Sequence, residues 1–274
     1  MNIHNYKVAV KFILKSKVNH ASWTLDPDYG VVPLEVHILK SMKHPGIVQF
    51  LDYFEDEKYI YMVTEMHGTP WDSQNPKLNS QKNPGLRPID RPKQECNNLL
   101  TFFPNDPRLK GEAEALRAIA QKIHFKPRTS SDLFECIDAH YRLPEATIKK
   151  IFQQVLSAIA YLHKNGIVHR DIKDENIVVD ENYNAKIIDF GSASFIPKEN
   201  GGLFEHFNGT IQFAAPEILR EKRFNAEKAE TWALGVLLFT MLFNENPFPD
   251  QQRIMRGELV IPYKVDESKN SIFC

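Results

Sequence analysis

The hydrophobic period of this chain changes once, and that change limits the folds open to it. Residues 6–14 (YKVAVKFIL) and 58–65 (KYIYMVTE) are β-branched and aromatic runs of strand length, and between them Pro33 to Met42 places apolar residues at helical intervals. From Pro144 onward the pattern is helical. Ile148, Ile151, Phe152, Val155, Leu156, Ile159 and Leu162 form one apolar stripe, entered through Pro144-Glu145 and ended at Asn165-Gly166. Short strands should flank the turns within 176–191, and another apolar helix covers Glu230 to Phe243 until Pro247-Phe248-Pro249 stops it. The expectation is an α+β chain of two lobes, a small β-rich lobe over residues 1–68 and a helical lobe over 132–274.

Residues 69–131 differ from both sides. They hold Pro70, Pro76, Pro84, Pro88, Pro92, Pro104, Pro107 and Pro127 among asparagines and lysines, with few β-branched residues, and read as an insertion. One amphipathic helix, roughly Gly111 to His124, is expected inside it, with loop elsewhere. Doubling a loop's length adds only about 0.6 kcal/mol of closure entropy, so such an insertion between lobes is tolerable.

At 274 residues the chain has ample material for a buried core. Its net charge of −1 gives no global electrostatic case for nucleic acid or an anionic membrane. Cys96, Cys136 and Cys274 lack metal-ligand spacing and suit reduced thiols in a cytoplasmic or nuclear compartment. The N-terminus has no signal-peptide core, and the longest apolar run, Ala233 to Phe243, is too short to span a bilayer, so a soluble protein is expected.

The chemistry concentrates after the long helix. In HRDIKDEN, Asp171 is a candidate base in a loop, and Lys173 two residues on can neutralise charge on a transferring phosphoryl group. Asn176 offers a side-chain oxygen to a hard cation. Asp189 of Asp189-Phe190-Gly191 follows across two short strands, so the two oxygens on facing turns can clamp Mg²⁺. Taken singly, His-Arg-Asp reads as surface polarity, Asp-Phe-Gly as an ordinary turn and Lys11 as a solvated strand lysine. Chance does not account for the ordered series of VAVK, a helix glutamate, HRDxKxxN, DFG and Ala215-Pro216-Glu217.

That series resembles the protein kinases over nearly the whole chain outside the insertion. The resemblance implies a bilobal fold, ATP and Mg²⁺ as cofactors, and a protein substrate. By it, Val8-Ala9-Val10-Lys11 supplies Lys11 for the α- and β-phosphates, with Glu35 as its helix partner. Thr64 falls at the gatekeeper position, and the Glu65 carbonyl and His67 amide would bond the adenine edge. Leu39, Phe50, His169 and Phe190 match the apolar stack that aligns the lobes. Lys173 marks serine/threonine specificity. Among subfamilies, HRDIKDENIVV, DFGSAS, FNGTIQFAAPEIL and Glu230-Thr231-Trp232 with FNENPF are similar to PAS kinase, which implies a sensory PAS domain upstream in a full-length parent. Asp132 in SSDLFECID, expected also among the cofactor-binding residues, and Glu175 sit where basophilic kinases place carboxylates facing substrate arginines.

The family's glycine-rich phosphate loop does not precede Lys11, which stands ten residues from the start, and the family's final helices and the arginine that pairs with Glu217 are absent after Pro249. The expectation is therefore a truncated piece of a longer kinase, and three readings stand: a working kinase, a pseudokinase that binds nucleotide or partners, and an inactive fragment. In many kinases a phosphothreonine before the activation segment's Gly-Thr pairs with the arginine preceding the catalytic aspartate, here Arg170. The matching position is His206, so ordering without phosphate is expected, through Glu205 or through packing by Phe204 and Phe207.

Overall fold

The computed structural model describes residues 7–71, 131–140, 142–198, 200–220 and 222–261. These belong to one compact unit. The insertion's residues 72–130, with the helix expected near 111–124, lie outside the described residues.

The first lobe is built on an antiparallel sheet of order β1-β5-β4, formed by β1 (Val8–Leu14), β4 (Phe50–Glu55) and β5 (Tyr59–Glu65). Register pairs Ala9 with Thr64, Lys11 with Met62 and Ile13 with Ile60, and cross-strand partners share a face. Ile13, Ile60, Met62 and Thr64 are buried there, whereas Val8, Val10 and Phe12 on the other face are exposed. The alternation in the sequence thus sets which way Lys11 points. Between β1 and β4 come a hairpin of β2 (Trp23–Asp26) and β3 (Gly30–Pro33), then α1 (Leu34–Ser41), which buries Val36, Ile38 and Leu39. A bridge between Ile47 and Ile187 and the bond from Val48 N to Ile187 O, 3.1 Å, join this lobe to the next.

The second lobe is helical. It contains α2 (Leu133–His140), α3 (Glu145–Lys164), the short α4 (Pro216–Leu219), α5 (Ala226–Phe243) and α6 (Gln251–Arg256). The stripe on α3 buries Ile148, Ile151, Val155, Ile159 and Leu162, while Leu156, at the stripe's edge, is 40 % exposed. Helix α5 begins a turn earlier than expected, because Asn225 Oδ1 accepts from Lys228 N at 2.9 Å and caps it there. Most of it is buried, only Lys228, Thr231 and Gly235 being exposed along one narrow face, which explains its weak period in the sequence. The chain forms one more short helix, α6, after the proline stop, capped by Asp250. Among the described residues no helix is long and apolar enough to cross a membrane.

Four short strands place the loops: β6 (Ile167–Val168) pairs with β9 (Ser194–Phe195), and β7 (Ile177–Val179) with β8 (Ala185–Ile187). Both roots of the insertion are tied to one residue of β7. Thr69 N donates to Val179 O at 3.0 Å, and Val179 N donates to Ser131 O at 2.9 Å. Gly68, with φ of 92°, lets the roots meet, since a Cβ there would lie 2.6 Å from that of Ser131. Deleting residues 72–128 is therefore expected to leave a single cooperative unfolding transition, followed by circular dichroism in denaturant. A transition that broadens or disappears would show that the segment belongs to the core.

Candidate active site

The two lobes meet at Lys11. Its Nζ donates to Glu35 Oε2 at 2.6 Å and to Asp189 Oδ1 at 2.8 Å. Burial alone would lower the Lys11 pKa, but the charges of Glu35 and Asp189 and their hydrogen bonds hold it above its ordinary value. Burial would likewise raise the Asp189 carboxyl, and Lys11, with the Gly191 amide, holds it below the usual carboxylate range instead. Asp189 adopts the left-handed region at φ 59°, which a short polar side chain tolerates, and Gly191 N donates to its Oδ1 at 3.1 Å.

Asp171 lies in the loop between β6 and β7 and is held from three sides. Asn176 Nδ2 donates to Asp171 O at 2.8 Å and to its Oδ2 at 3.0 Å. Thr210 donates to Oδ1 twice, from N at 2.9 Å and from Oγ1 at 2.7 Å. Lys173 Nζ then reaches Thr210 Oγ1 at 3.0 Å, Glu175 Oε2 at 3.0 Å and Asp171 Oδ2 at 3.6 Å. Since the Asn176 amide nitrogen is turned to Asp171, its oxygen faces away. Ile188 N donates to Asn176 O at 2.9 Å, so Asp189 follows directly on the strand bonded to Asn176.

Behind these residues sits a buried frame. His169 Nε2 donates to Ile188 O at 3.0 Å, its Nδ1 accepts from Asp171 N at 3.4 Å, and its ring meets that of Phe190 edge-on at 4.9 Å. A backbone N–H can only donate, which assigns the proton to Nε2. Leu39 and Phe190 are buried in one core, with Phe50 packed against it. Arg170 takes a positive φ of 65°, and its N donates to Glu230 Oε1 at 2.6 Å. Glu230, 2 % exposed, also accepts from His163 Nε2 at 2.5 Å.

That last pair is titratable. Burial works to lower the His163 pKa, but the hydrogen bond and charge of Glu230 raise it above the ordinary 6.5. A raised folded-state value means the pair's contribution is complete below the unfolded-state value and is lost as pH rises through the folded-state one. Stability is expected to decline as pH rises from about 6.5, and Glu230→Gln should flatten that slope in unfolding curves measured across pH. An unchanged slope would remove His163 from the account.

Thr64 is buried at the end of β5, on the same face as Lys11. The side chains of the next positions are engaged elsewhere: Glu65 Oε1 accepts from Lys186 Nζ of the second lobe at 2.6 Å and from Gln49 N of its own lobe at 2.8 Å, and the His67 ring bonds Asn184 O at 2.9 Å. Asp132 Oδ1 caps α2 by accepting from Glu135 N at 2.8 Å. Cys136 is buried, and burial pushes its thiol up to about 12, so it is no nucleophile.

The activation segment corrects one expectation. Glu205 does not meet Arg170; its Oε1 pairs with Arg223 at 2.6 Å, both side chains being more than half exposed. Arg170 instead bonds Ser192 O through Nε at 2.6 Å and lies over the Phe204 ring at 5.1 Å. Phe204 is in β10 (Leu203–Phe204), which pairs with β11 (Phe224–Asn225), and Arg223 is brought beside Glu205 by that pairing. Sequence reasoning also missed Thr210 and Glu230 as site residues. The signal for Thr210 was Gly209, where a Cβ would collide with the Arg170 carbonyl oxygen.

Known proteins are similar to this chain over most of its length. The protein kinase domain profile matches residues 2–79 and 122–271. The PAS domain-containing serine/threonine-protein kinase of Mus musculus is 34 % identical over 268 residues, covering 98 % of this chain and 15 % of that protein. Serine/threonine-protein kinase ppk6 of Schizosaccharomyces pombe is 31 % identical over 272 residues, covering 98 % of this chain and 27 % of that protein. Serine/threonine-protein kinase PSK1 of Saccharomyces cerevisiae is 32 % identical over 259 residues, with 93 % and 15 % covered. The chain thus spans about a quarter or less of these relatives' lengths. With the profile matched across both lobes, the chain belongs to the protein kinase family.

Proposed function

We propose that this chain transfers the γ-phosphoryl group of Mg-ATP to a serine or threonine hydroxyl of a protein. The observation that carries the reading is the bonded set of Asp171, Asn176, Lys173 and Thr210 on one side and Lys11, Glu35 and Asp189 on the other. Lys11, oriented by Glu35, grips the α- and β-phosphates. Thr64 borders the adenine, whose edge bonds the backbone of Glu65 and His67, their side chains being engaged elsewhere. Asp171 takes the acceptor's proton, and Lys173 stabilises charge on the moving group. Thr210 fixes the distance between those two.

The donor set also fits magnesium. The Asn176 oxygen and the Asp189 carboxylate are hard ligands, and no cluster of three or more His, Cys, Asp or Glu suited to a metal occurs among the described residues. Magnesium suits this pattern, since it takes one or two protein oxygens together with substrate phosphates. When bound, it neutralises phosphate charge. Glu175 and Asp132 supply negative charge for basic residues preceding the acceptor.

The test supplies Mg-ATP with matched peptides carrying Ser, Thr or Tyr behind an arginine. Transfer to Ser or Thr but not Tyr is expected, with loss of about a hundredfold or more in Lys11→Met from the weakened phosphate grip. A thermal shift with nucleotide but no transfer would favour a nucleotide-binding pseudokinase. Phosphate-free protein should already be active, because the Phe204 ring and Ser192 carbonyl occupy Arg170. Phe204→Ala should therefore lower turnover severalfold or more and Glu205→Ala hardly at all, an exposed pair being worth about 1 kcal/mol or less. A large rise after treatment with an activating kinase, tracking a phosphate between Ser192 and Thr210, would refute this.

A further inference from the structure

Helix α1 carries Glu35 to Lys11, yet little in the helix itself fixes its rotation. It has eight residues, too few to be stable alone, and Pro33 at its N-terminus gives no side-chain cap. Val36, Ile38 and Leu39 bury an apolar face, which holds the helix against the lobe without a directional bond. The directional bonds come from the hairpin. Asp26, at the end of β2, is 3 % exposed. Its Oδ2 bonds His37 Nδ1 at 2.8 Å and its Oδ1 accepts from Lys40 Nζ at 2.5 Å.

At about 100° per residue, His37 and Lys40 lie roughly 60° apart on the helix and about 140–200° around from Glu35. Asp26 therefore grips the side of α1 turned away from the active site, at two points one turn apart. The grip is braced at both ends. Asp26 Oδ1 also accepts from Asp28 N at 3.0 Å and Tyr29 N at 3.2 Å, which fixes the turn. The Tyr29 ring lies 5.1 Å from that of Tyr53 and 6.1 Å from that of Phe50, both in β4, and Lys40 Nζ stands 4.7 Å above it. His37 further meets the Phe195 ring of β9 at 6.2 Å, just beyond Asp189-Phe190-Gly191.

We propose that Asp26 is a positioning residue: by holding His37 and Lys40 from the hairpin, it sets the rotation of α1 that brings Glu35 onto Lys11. This rests on the reading of Lys11 and Glu35 as the pair that grips phosphate. A residue that only completed its own turn would need the two backbone bonds and not the two side-chain ones. Asp26→Asn separates the roles, because its amide oxygen still accepts from the turn while the charge facing Lys40 is gone. Asp28→Ala is the control, since Asp28 is mostly exposed and also touches Lys40 Nζ.

The experiment measures hydrogen exchange of the α1 amides, and kcat/KM for ATP, in the wild type, Asp26→Ala, Asp26→Asn, Asp28→Ala, Glu35→Ala and the Asp26→Ala/Glu35→Ala double variant. Exchange in α1 should quicken tenfold or more in both Asp26 variants and under twofold in Asp28→Ala. Each of Asp26→Ala and Glu35→Ala should lower kcat/KM at least tenfold, and Asp26→Ala should add less than twofold once Glu35 is gone. Multiplying losses in the double variant, or unchanged α1 exchange in Asp26→Asn, would overturn the proposal. If the wild type transfers no phosphate, the kinase reading fails, and the exchange comparison still decides whether Asp26 holds the helix.

Discussion

Asp189→Asn is expected to lower phosphoryl transfer by about a thousandfold, equivalent to about 4 kcal/mol of transition-state stabilisation. The substitution changes charge and little else. Asparagine tolerates the left-handed backbone at φ 59°, and its oxygen can still accept from Gly191 N. Lys11 keeps Glu35 at 2.6 Å. What disappears is the negative charge offered to the metal and to Lys11. Turnover titrated with Mg²⁺ should therefore need more metal and reach a far lower plateau, while the melting temperature changes by only a few degrees. Turnover within tenfold of the wild type would show that Asp189 is not the metal ligand.

Glu230→Ala should be the costliest substitution for stability. Glu230 is 2 % exposed and accepts from both His163 and the Arg170 amide, so truncating it leaves the part-buried His163 ring and the Arg170 N–H without that acceptor. Each lost partner costs about 1–3 kcal/mol, together a large share of a domain's whole stability. Arg170 holds a positive φ with its amide bonded to Glu230, and Asp171 is its neighbour, so activity should fall in the protein that remains folded. Glu230→Gln keeps the acceptor for Arg170 N and should lose less. Denaturant midpoints give the result, and a shift worth under about 1 kcal/mol for the alanine would contradict the role given to Glu230.

The sequence was readable where one physical signal dominated. The stripe from Ile148 to Leu162 and the alternation in KYIYMVTE became α3 and β5 because each element buries one face. Helix α5 was caught only in part, since its exposed face is a narrow one of Lys228, Thr231 and Gly235 that gives little contrast, and its start depends on a single side-chain cap at Asn225. The hairpin at Trp23–Pro33 was not separated from its surroundings. Its strands are four residues each, and Leu25 and Val31, cross-strand partners, are exposed rather than inward. Candidate site residues with fixed spacing, Asp171, Lys173, Asn176 and Asp189, could be named in advance. Thr210, Glu230 and His163 could not, because their roles depend on tertiary contacts 39 to 67 residues distant along the chain. Glu205 shows the same limit from the other side: charge alone suggested Arg170, and strand pairing delivered Arg223.

In the proposed reaction Asp171 takes the proton of a serine or threonine hydroxyl as phosphate leaves ATP. The most direct measurement is single-turnover transfer of γ-phosphate from Mg-ATP to a serine peptide by the wild type and Asp171→Ala, with nucleotide affinity measured on the same samples. Asp171→Ala should bind Mg-ATP within a few fold of the wild type and lose about a hundredfold to ten-thousandfold in transfer, the usual range for a general base. Wild-type transfer that survives Asp171→Ala undiminished, or no transfer by the wild type despite bound Mg-ATP, would contradict it.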